Sequence, residues 1–360
     1  MVIAGGFFYN VFILHLCLML PFGLHSAKSF AIDLGNTNTL LTDKDKILLS
    51  EPSYIVFNEN HSIKAVGEEA YCIFEKSHQA LHPVKPLRGG VIADYQSAGK
   101  MIRTLVDKVY GKNFLSRGFD TIITGVPFHT TMVERRAFKD ALDQFNPRKT
   151  NLLFEPLAAA IGMDMNIREP EGKFIVDIGG GITEMVVISL SGVAAFQSIK
   201  IAGDTFDEAI RDYFRKEYNL LVGIRTAELV KKSIGGVYAE VGIVPPSILV
   251  KGKSLAEGIP MSVEITYHEL VHVLDKPFAE IENGIIHTLQ HCPPELASDI
   301  YETGIHVTGG SALLIGLKQR LEKNISLPVH IDDNPLTSVS IGISKALRNP
   351  KQYQSVLIEA

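Results

Sequence analysis

Apolar runs and polar turns alternate along this chain in a way that predicts two strand hairpins of one design, with amphipathic helices around them. Residues 174–190, FIVDIGGGITEMVVISL, set apolar residues before Asp177, place glycines at 179–181, and return to apolar residues after Ile182, Thr183 and Glu184. This reads as strand, glycine-rich turn and strand. Consecutive glycines present backbone N–H groups with no Cβ in the way, which is how a turn cradles phosphate oxygens. Asp177, at the end of the first strand, suits Mg2+, an ion that takes oxygen ligands and keeps part of its water shell. Taken in isolation, the segment is equally a tight hairpin that needs glycine for geometry alone. The pattern recurs, however, at 30–41, FAIDLGNTNTLL, where Asp33 precedes Gly35, Asn36, Thr37 and Asn38. Two such hairpins predict related halves whose turns face one another across a cleft, with a nucleotide's phosphate tail between them.

A third element, 304–314 (GIHVTGGSALL), reads as a short strand, a turn at Gly309 and Gly310, and a helix start at Ser311. Paired glycines there let the chain pass close to a flat ligand, so the turn is a candidate for the nucleoside end. None of the three elements matches GxGxxG or GxxxxGK[ST]. Between the hairpins, Met101, Ile102, Leu105, Val106 and Val109 recur at helical spacing over 94–110. A buried strand follows at 119–126 and an amphipathic helix at 132–145. Pro83 and Pro86 break any long helix within 62–90. Glu155-Pro156 then opens LAAAIG, whose small residues permit close helix packing. Beyond the second hairpin, Phe206, Ile210 and Phe214 mark a helix over 203–214, and another starts near Thr226. Strands and turns fill 241–265, helices 267–291 and 295–301, and the chain closes with 316–322, a strand at 328–331 and a helix at 338–347.

Composition narrows the class. With 360 residues, 46% of them hydrophobic, the chain exceeds one ordinary core and predicts two lobes. A net charge of −5 gives no strongly basic field to gather nucleic-acid phosphates, so no nucleic-acid partner is expected. Cys17, Cys72 and Cys292 are odd in number and far apart, which argues against a disulfide framework or zinc site and for a reducing compartment. His268, His272, His287 and His291 are helically spaced, but no HExxH-type motif orders them, and surface positions on packed helices fit them better than metal ligation. The leader 1–27 carries no Lys, Arg, Asp or Glu. It lacks the basic region of a signal peptide, and Gly5-Gly6, Asn10 and His15 interrupt a segment near the minimum membrane span.

In their order, these motifs resemble the actin, Hsp70 and sugar-kinase superfamily, and most specifically the MreB family of bacterial actin homologues. The resemblance rests on DLGNTNTL (33–40), EPS (51–53), LRGGVIADY (87–95), FEPLAAAIG (154–162), VDIGGGITE (176–184), IKIAGDTFDEAI (199–210), GIRTAE (223–228), PPELASDI (293–300) and VTGGSALL (307–314). It implies an α/β actin-like fold, with two related lobes of duplicated RNase H-like cores flanking a nucleotide cleft, each carrying a smaller inserted subdomain. The implied boundaries are 29–57, 91–169 and 339–360 for subdomain IA, 58–90 for IB, 170–205 and 268–338 for IIA, and 206–267 for IIB. Residues 1–28 form an apolar leader of open status: translation from Met19 would match the family's short leaders, and a true apolar anchor or another processing event are the alternatives.

The resemblance further implies a cytoplasmic protein, peripheral at the inner face of the cell membrane. Its cofactors would be ATP and Mg2+, and its partners other copies in protofilaments and membrane proteins of cell-wall elongation. Glu155 would orient the water that attacks the γ-phosphate, although a Glu before Pro at a helix start is also a common cap. Asp33 and Asp177 would hold Mg2+ through water. Gly35, Asn36, Thr37, Asn38, Gly179, Gly180, Gly181, Ile182 and Thr183 would line the phosphates. Gly309, Gly310 and Ser311 would meet the nucleoside, Glu228 the ribose hydroxyls, and Lys231 the edge of the nucleotide. Phe114 and Leu115, flanked by Lys112 and Arg117 in the loop 111–118, would dip into the bilayer, with the basic neighbours adding attraction to anionic lipid. A non-polymerising regulator or chaperone-like protein of the same fold is the second reading. A small-molecule kinase is the third.

The chain departs from the family pattern at several of these places. Asn36 stands where Thr is usual, Thr37 for Ala, His129 for Gly, Ile224 for Glu and Ser311 for Gly. Ile182 replaces a hydroxyl residue, and losing a donor from a preorganised site costs about 10²-fold in rate. Tight nucleotide binding with slow hydrolysis is the expectation.

Overall fold

The computed structural model describes residues 28–44, 46–76, 80–112 and 118–359. The first hairpin is β1 (Phe30–Leu34) and β2 (Asn38–Thr42), extended antiparallel by β3 (Ile47–Pro52). A small sheet follows, of β4 (Ile55–Asn58), β5 (Ile63–Val66) and β6 (Leu81–Val84), with the short helix α1 (Glu68–Ile73) between the last two. A two-stranded ribbon of β7 (Leu87–Arg88) and β8 (Val91–Ile92) leads to α2 (Tyr95–Tyr110), where Asp94 accepts the Ser97 N–H as N-cap. Then come β9 (Thr121–Val126), α3 (Met132–Asp143), β10 (Lys149–Phe154) and α4 (Glu155–Gly162). Thr131 and Glu134 close a capping box at the start of α3.

The second half opens with β11 (Lys173–Ile178), β12 (Thr183–Ser189) and β13 (Gly192–Ile199), an antiparallel meander. Helix α5 (Gly203–Glu217), β14 (Leu220–Leu221), α6 (Ile224–Ile234), β15 (Ile248–Ser254) and β16 (Pro260–Ile265) follow. The 24-residue α7 (Tyr267–Gln290) then runs to α8 (Pro294–Thr303), β17 (Ile305–Thr308), a 3-10 turn at Gly310–Leu313, α9 (Leu317–Ile325) and β18 (Val329–Ile331). The chain returns to the first half with α10 (Ser338–Arg348) and β19 (Ile358–Glu359).

Both large sheets have the same plan. The first runs β19-β10-β9-β1-β2-β3 and the second β13-β12-β11-β17-β18. In each, a hairpin meander is joined on its first strand to two parallel strands. Helices α4 and α10 lie between the two sheets, sharing one apolar cluster with Ala31 and Ile123 of the first and Ile175 and Val186 of the second. The small residues read from LAAAIG make this layer thin. A methyl at Gly342 would fall 1.8 Å from the Ala158 carbonyl oxygen, and one at Gly162 would fall 2.0 Å from that of Ser338, so the helices meet backbone to backbone. Sheets held this close bring their hairpin turns to one place.

Candidate functional site

The turns of the two hairpins meet in a cleft of roughly 990 Å³ between the halves. Of the residues singled out from the sequence, Asp33, Gly35, Asn36, Thr37, Asn38, Glu155, Asp177, Gly179, Gly180, Gly181, Ile182, Glu228, Lys231, Gly309, Gly310 and Ser311 all line it. Thr183 is not among the lining residues. As the first residue of β12 it is fully buried, and its hydroxyl donates to the Ile201 carbonyl at 2.6 Å, so it ties the turn to the end of β13 instead of facing the cleft. Phe114 and Leu115 lie outside the described residues.

The glycine turns fit each other as well as a ligand. A methyl at Gly181 would overlap Asn36 Nδ2 at 1.9 Å. Asn36 itself accepts the Gly90 N–H at 2.9 Å and donates to Asp204 at 3.2 Å, and Lys85 pairs with the other Asp204 oxygen at 2.8 Å. Asp204 and Gly203 open α5, donating their N–H groups to the carbonyls of Gly180 and Gly179. The turn carbonyls of the second hairpin are thus held from behind, and its glycine edge is turned toward the first lobe. Ser311 adds a hydroxyl contact to Gly179 O at 3.3 Å, which brings the third turn to the same point.

Four recessed carboxylates converge below the turns. Asp177 and Glu184 are direct cross-strand partners on β11 and β12, a like-charge pairing that is unfavourable unless something relieves it. Burial and then Asp177 push Glu184 up to about 8, against the N–H groups of Phe128 and His129. Burial and then Asp177 push Asp33 up to about 7, and burial alone takes Asp177 to about 6. Glu155 is raised well above the ordinary carboxylate range by burial, then by Asp33, Glu184 and Asp177. Glu184 Oε1 accepts the Phe128 N–H at 2.9 Å, and its Oε2 has no hydrogen-bond partner among the described residues. A recessed acidic set, half-buried at Asp33, Glu155 and Asp177 and fully buried at Glu184 with its orphaned oxygen, fits a cation. Among the described residues no three His, Cys, Asp or Glu side chains are grouped tightly enough to hold a metal directly.

Glu228 and Lys231 lie on α6 at the upper wall. Glu228 is held by Lys232 at 2.6 Å and by the Tyr71 hydroxyl at 2.7 Å. Burial, the largest single influence, would raise its pKa, but these two hydrogen bonds together with the positive charges of Lys232 and Lys231 bring it below the ordinary range. Lys231 pairs with the buried Asp207 and donates to the Gly203 carbonyl, both at 2.8 Å, so it braces α5 against α6 while bordering the cleft. Sequence reasoning gave no role to Glu184, Asp204, Lys85, Tyr71 or Glu75. The first was legible, since an Asp and a Glu flanking a hairpin turn at equal distance must pair. The others come from contacts between distant segments and leave no local pattern.

Two α/β lobes of one plan, closed on a glycine-lined cleft, are the architecture of the actin-like proteins. The crystal structure of MreB 5 of Spiroplasma citri bound to AMPPNP superposes with a TM-score of 0.86 and 32% identity, covering 92% of this chain and 98% of that one. The MamK double helical filament shares the fold alone, with a TM-score of 0.71 and 17% identity over 90% of this chain and 99% of that one. Residues 27–355 match the family described as MreB/Mbl protein. The cell shape-determining protein MreB of Escherichia coli K12 is 38% identical over 327 residues, 89% of this chain and 93% of that protein. The chain belongs to the MreB/Mbl family, the cell-shape proteins of the actin-like fold.

Proposed function

We propose that this protein binds Mg-ATP in the cleft, hydrolyses it slowly, and polymerises into protofilaments at the inner face of the cytoplasmic membrane, where they organise cell-wall synthesis and maintain rod shape together with membrane proteins of wall elongation. The observation that carries the reading is the opposition of the two glycine turns, Asn36-Thr37 against Gly180-Gly181, above a set of recessed carboxylates. The backbone N–H groups of both turns receive the phosphates, and the lobes close because each turn supplies half of the cradle. Mg2+, when bound, neutralises phosphate charge and the carboxylates together. Asp33 and Asp177 hold its water shell. Glu155, at the N-terminus of α4, has its carboxyl raised well above the ordinary range by burial and then by Asp33, Glu184 and Asp177, and a cation bound beside them would lower it. Once ionised it orients the attacking water and accepts its proton late. Glu228 receives the ribose hydroxyls, and the turn at Gly309 and Gly310 passes the base.

The common plan of the sheets supports duplicated RNase H-like cores as subdomains IA and IIA, with the β14-β15-β16 unit as IIB and the β4-β5-β6 unit as IB, whose start thereby moves from 58 back to Ile55. Two measurements decide the matter. Calorimetry should show Mg-ATP binding that Asp177→Ala weakens at least about tenfold, as loss of a charged group from such a site does. Unchanged affinity removes Asp177 from the site. Sedimentation with and without Mg-ATP should show nucleotide-dependent pelleting, and a protein that binds ATP but stays monomeric is instead a regulator of the same fold.

A further inference from the structure

The lips of the cleft are joined by side chains that nothing in the nucleotide chemistry requires. Helix α6 begins at Gly223 without any side-chain cap of its own. Its first N–H groups are received instead by Glu75 from the opposite lobe: Ile224 N–H to Oε1 at 2.8 Å and Arg225 N–H to Oε2 at 3.1 Å. Glu75 does this from a left-handed backbone, φ 64°, which a non-glycine residue adopts at a cost and keeps where surrounding contacts over-determine it. A methyl at Gly223 would sit 2.3 Å from Glu75 Oε2, so the approach also needs that glycine. One turn earlier, Tyr71 donates its hydroxyl to Glu228 Oε2 at 2.7 Å, while the Arg225 guanidinium lies over the Tyr71 ring at 4.6 Å and reaches the Cys72 carbonyl at 3.4 Å.

We propose that Tyr71 and Glu75 are positioning residues for the nucleotide site of the opposite lobe: Glu75 clasps the start of α6 shut over the cleft, and Tyr71 fixes the Glu228 carboxylate to read the sugar. The proposal rests on the reading of Glu228 as the ribose carboxylate. Each carboxylate oxygen has about two lone-pair sites. Tyr71 occupies one on Oε2 and Lys232 one on Oε1, leaving an acceptor on each for the sugar hydroxyls. Without Tyr71 the carboxylate is free to turn toward Lys232 and presents no fixed edge. Release of nucleotide then requires the clasp to open, because Glu75 and α6 close the same side of the cleft.

The test uses the full chain and three variants. Glu75→Gly suits the backbone conformation and removes the cap, Glu75→Gln keeps one acceptor, and Tyr71→Phe removes only a hydroxyl. In Glu75→Gly, amide exchange at Ile224 and Arg225 and release of base-labelled etheno-ATP should each quicken about tenfold, the scale of a lost cap, with Glu75→Gln in between. In Tyr71→Phe the preference for ATP over 2′-deoxy-ATP should fall about threefold or more while amide exchange at Ile224 holds, consistent with one lost hydrogen bond to a charged group. Unchanged amide exchange in Glu75→Gly overturns the clasp. Faster amide exchange with unchanged nucleotide release overturns its link to the ligand, and an unchanged sugar preference overturns the role of Tyr71. Should the unaltered protein bind no etheno-ATP, the nucleotide reading fails, and amide exchange still decides whether Glu75 caps α6.

Discussion

A methyl group at Gly180 would lie 2.2 Å from the hydroxyl oxygen of Thr37, so the two hairpin turns are in contact and close the cleft between them. Gly180→Ala should therefore wedge the lobes apart and weaken Mg-ATP binding about tenfold or more, since a contact that close is far inside van der Waals separation and preorganisation is lost. Thr37→Ala in the same chain removes the oxygen and leaves the nearest carbon 3.3 Å away. The double variant should recover most of the affinity. Titration of both by calorimetry is the check, and a double variant no better than Gly180→Ala means that the turns do not limit closure.

Stability of the second lobe depends on a buried ion pair. Arg320 on α9 meets Glu282 on α7 through two hydrogen bonds, 2.8 and 2.9 Å, with Asp275 at 2.9 Å and the Val237 carbonyl at 3.1 Å filling other guanidinium positions. Removing one partner leaves a buried charge uncompensated, at about 3–5 kcal/mol. Glu282→Ala should lose that much in urea unfolding of the second lobe. A loss under about 1 kcal/mol would show that Asp275 and water replace the carboxylate.

The pH response has a clear sign at His306, whose ring stacks on His330 of the neighbouring strand at 5.1 Å. Burial, then His330 and Lys173, lower its pKa from 6.5 to about 4. Between those values the unfolded chain binds the proton and the folded chain does not, so this residue's contribution to stability is intact above about 6.5 and lost progressively as the pH falls toward 4. His306→Phe keeps an aromatic ring against its neighbour and should flatten the fall in thermal midpoint on going from about pH 7 to pH 4.5. Parallel curves for the two proteins would place the acid sensitivity elsewhere.

What was legible in the sequence was whatever a short window determines. Asp33, Asp177 and the glycines of all three turns could be read because a strand ending in Asp and running into Gly has few uses. The α4 packing could be read from LAAAIG. The place of the Thr183 side chain is not legible in that window, because one residue of register separates a side chain facing the cleft from one tied to Ile201. Strand β13 escaped because GVAAFQSI has a mixed, half-exposed face. Glu75 and Tyr71 were invisible for a different reason: their partners on α6 lie more than a hundred residues away, and only the closed lobes bring them together.

Membrane contact is expected from Phe114 and Leu115 between Lys112 and Arg117. Among the described residues no helix is long and apolar enough to cross a membrane. Changing Phe114 and Leu115 together to Ser should reduce co-sedimentation with anionic liposomes about tenfold or more in a protein starting at Met19, given the transfer free energy of two large apolar side chains. Undiminished binding would move the attachment to another part of the chain.

The turnover rate is where this chain should differ most from its relatives. Ile182 follows the glycine turn and lines the cleft beside Glu184, and its Cδ1 would stand 2.8 Å from a methyl at Gly90, with Pro127 close by. An aliphatic group thus occupies the space between the turn and the Pro127 loop where a hydroxyl would serve the phosphate and the water. Ile182→Thr should raise kcat several-fold and leave ATP affinity within about a factor of three, because the added donor acts most strongly where charge and water geometry change, in the transition state. Threonine is also smaller and keeps the β-branch, so the strand start retains its rotamer restriction while the vacated volume admits water. Single-turnover phosphate release from both proteins measures the effect, with Glu155→Ala as the zero point. If Ile182→Thr is no faster, the missing hydroxyl does not limit the site. If Glu155→Ala turns over as fast as the unaltered protein, Glu155 serves only as an acidic residue in the first turn of α4, and the attacking water is ordered by another group, with Glu184 and its unpartnered oxygen the next to test.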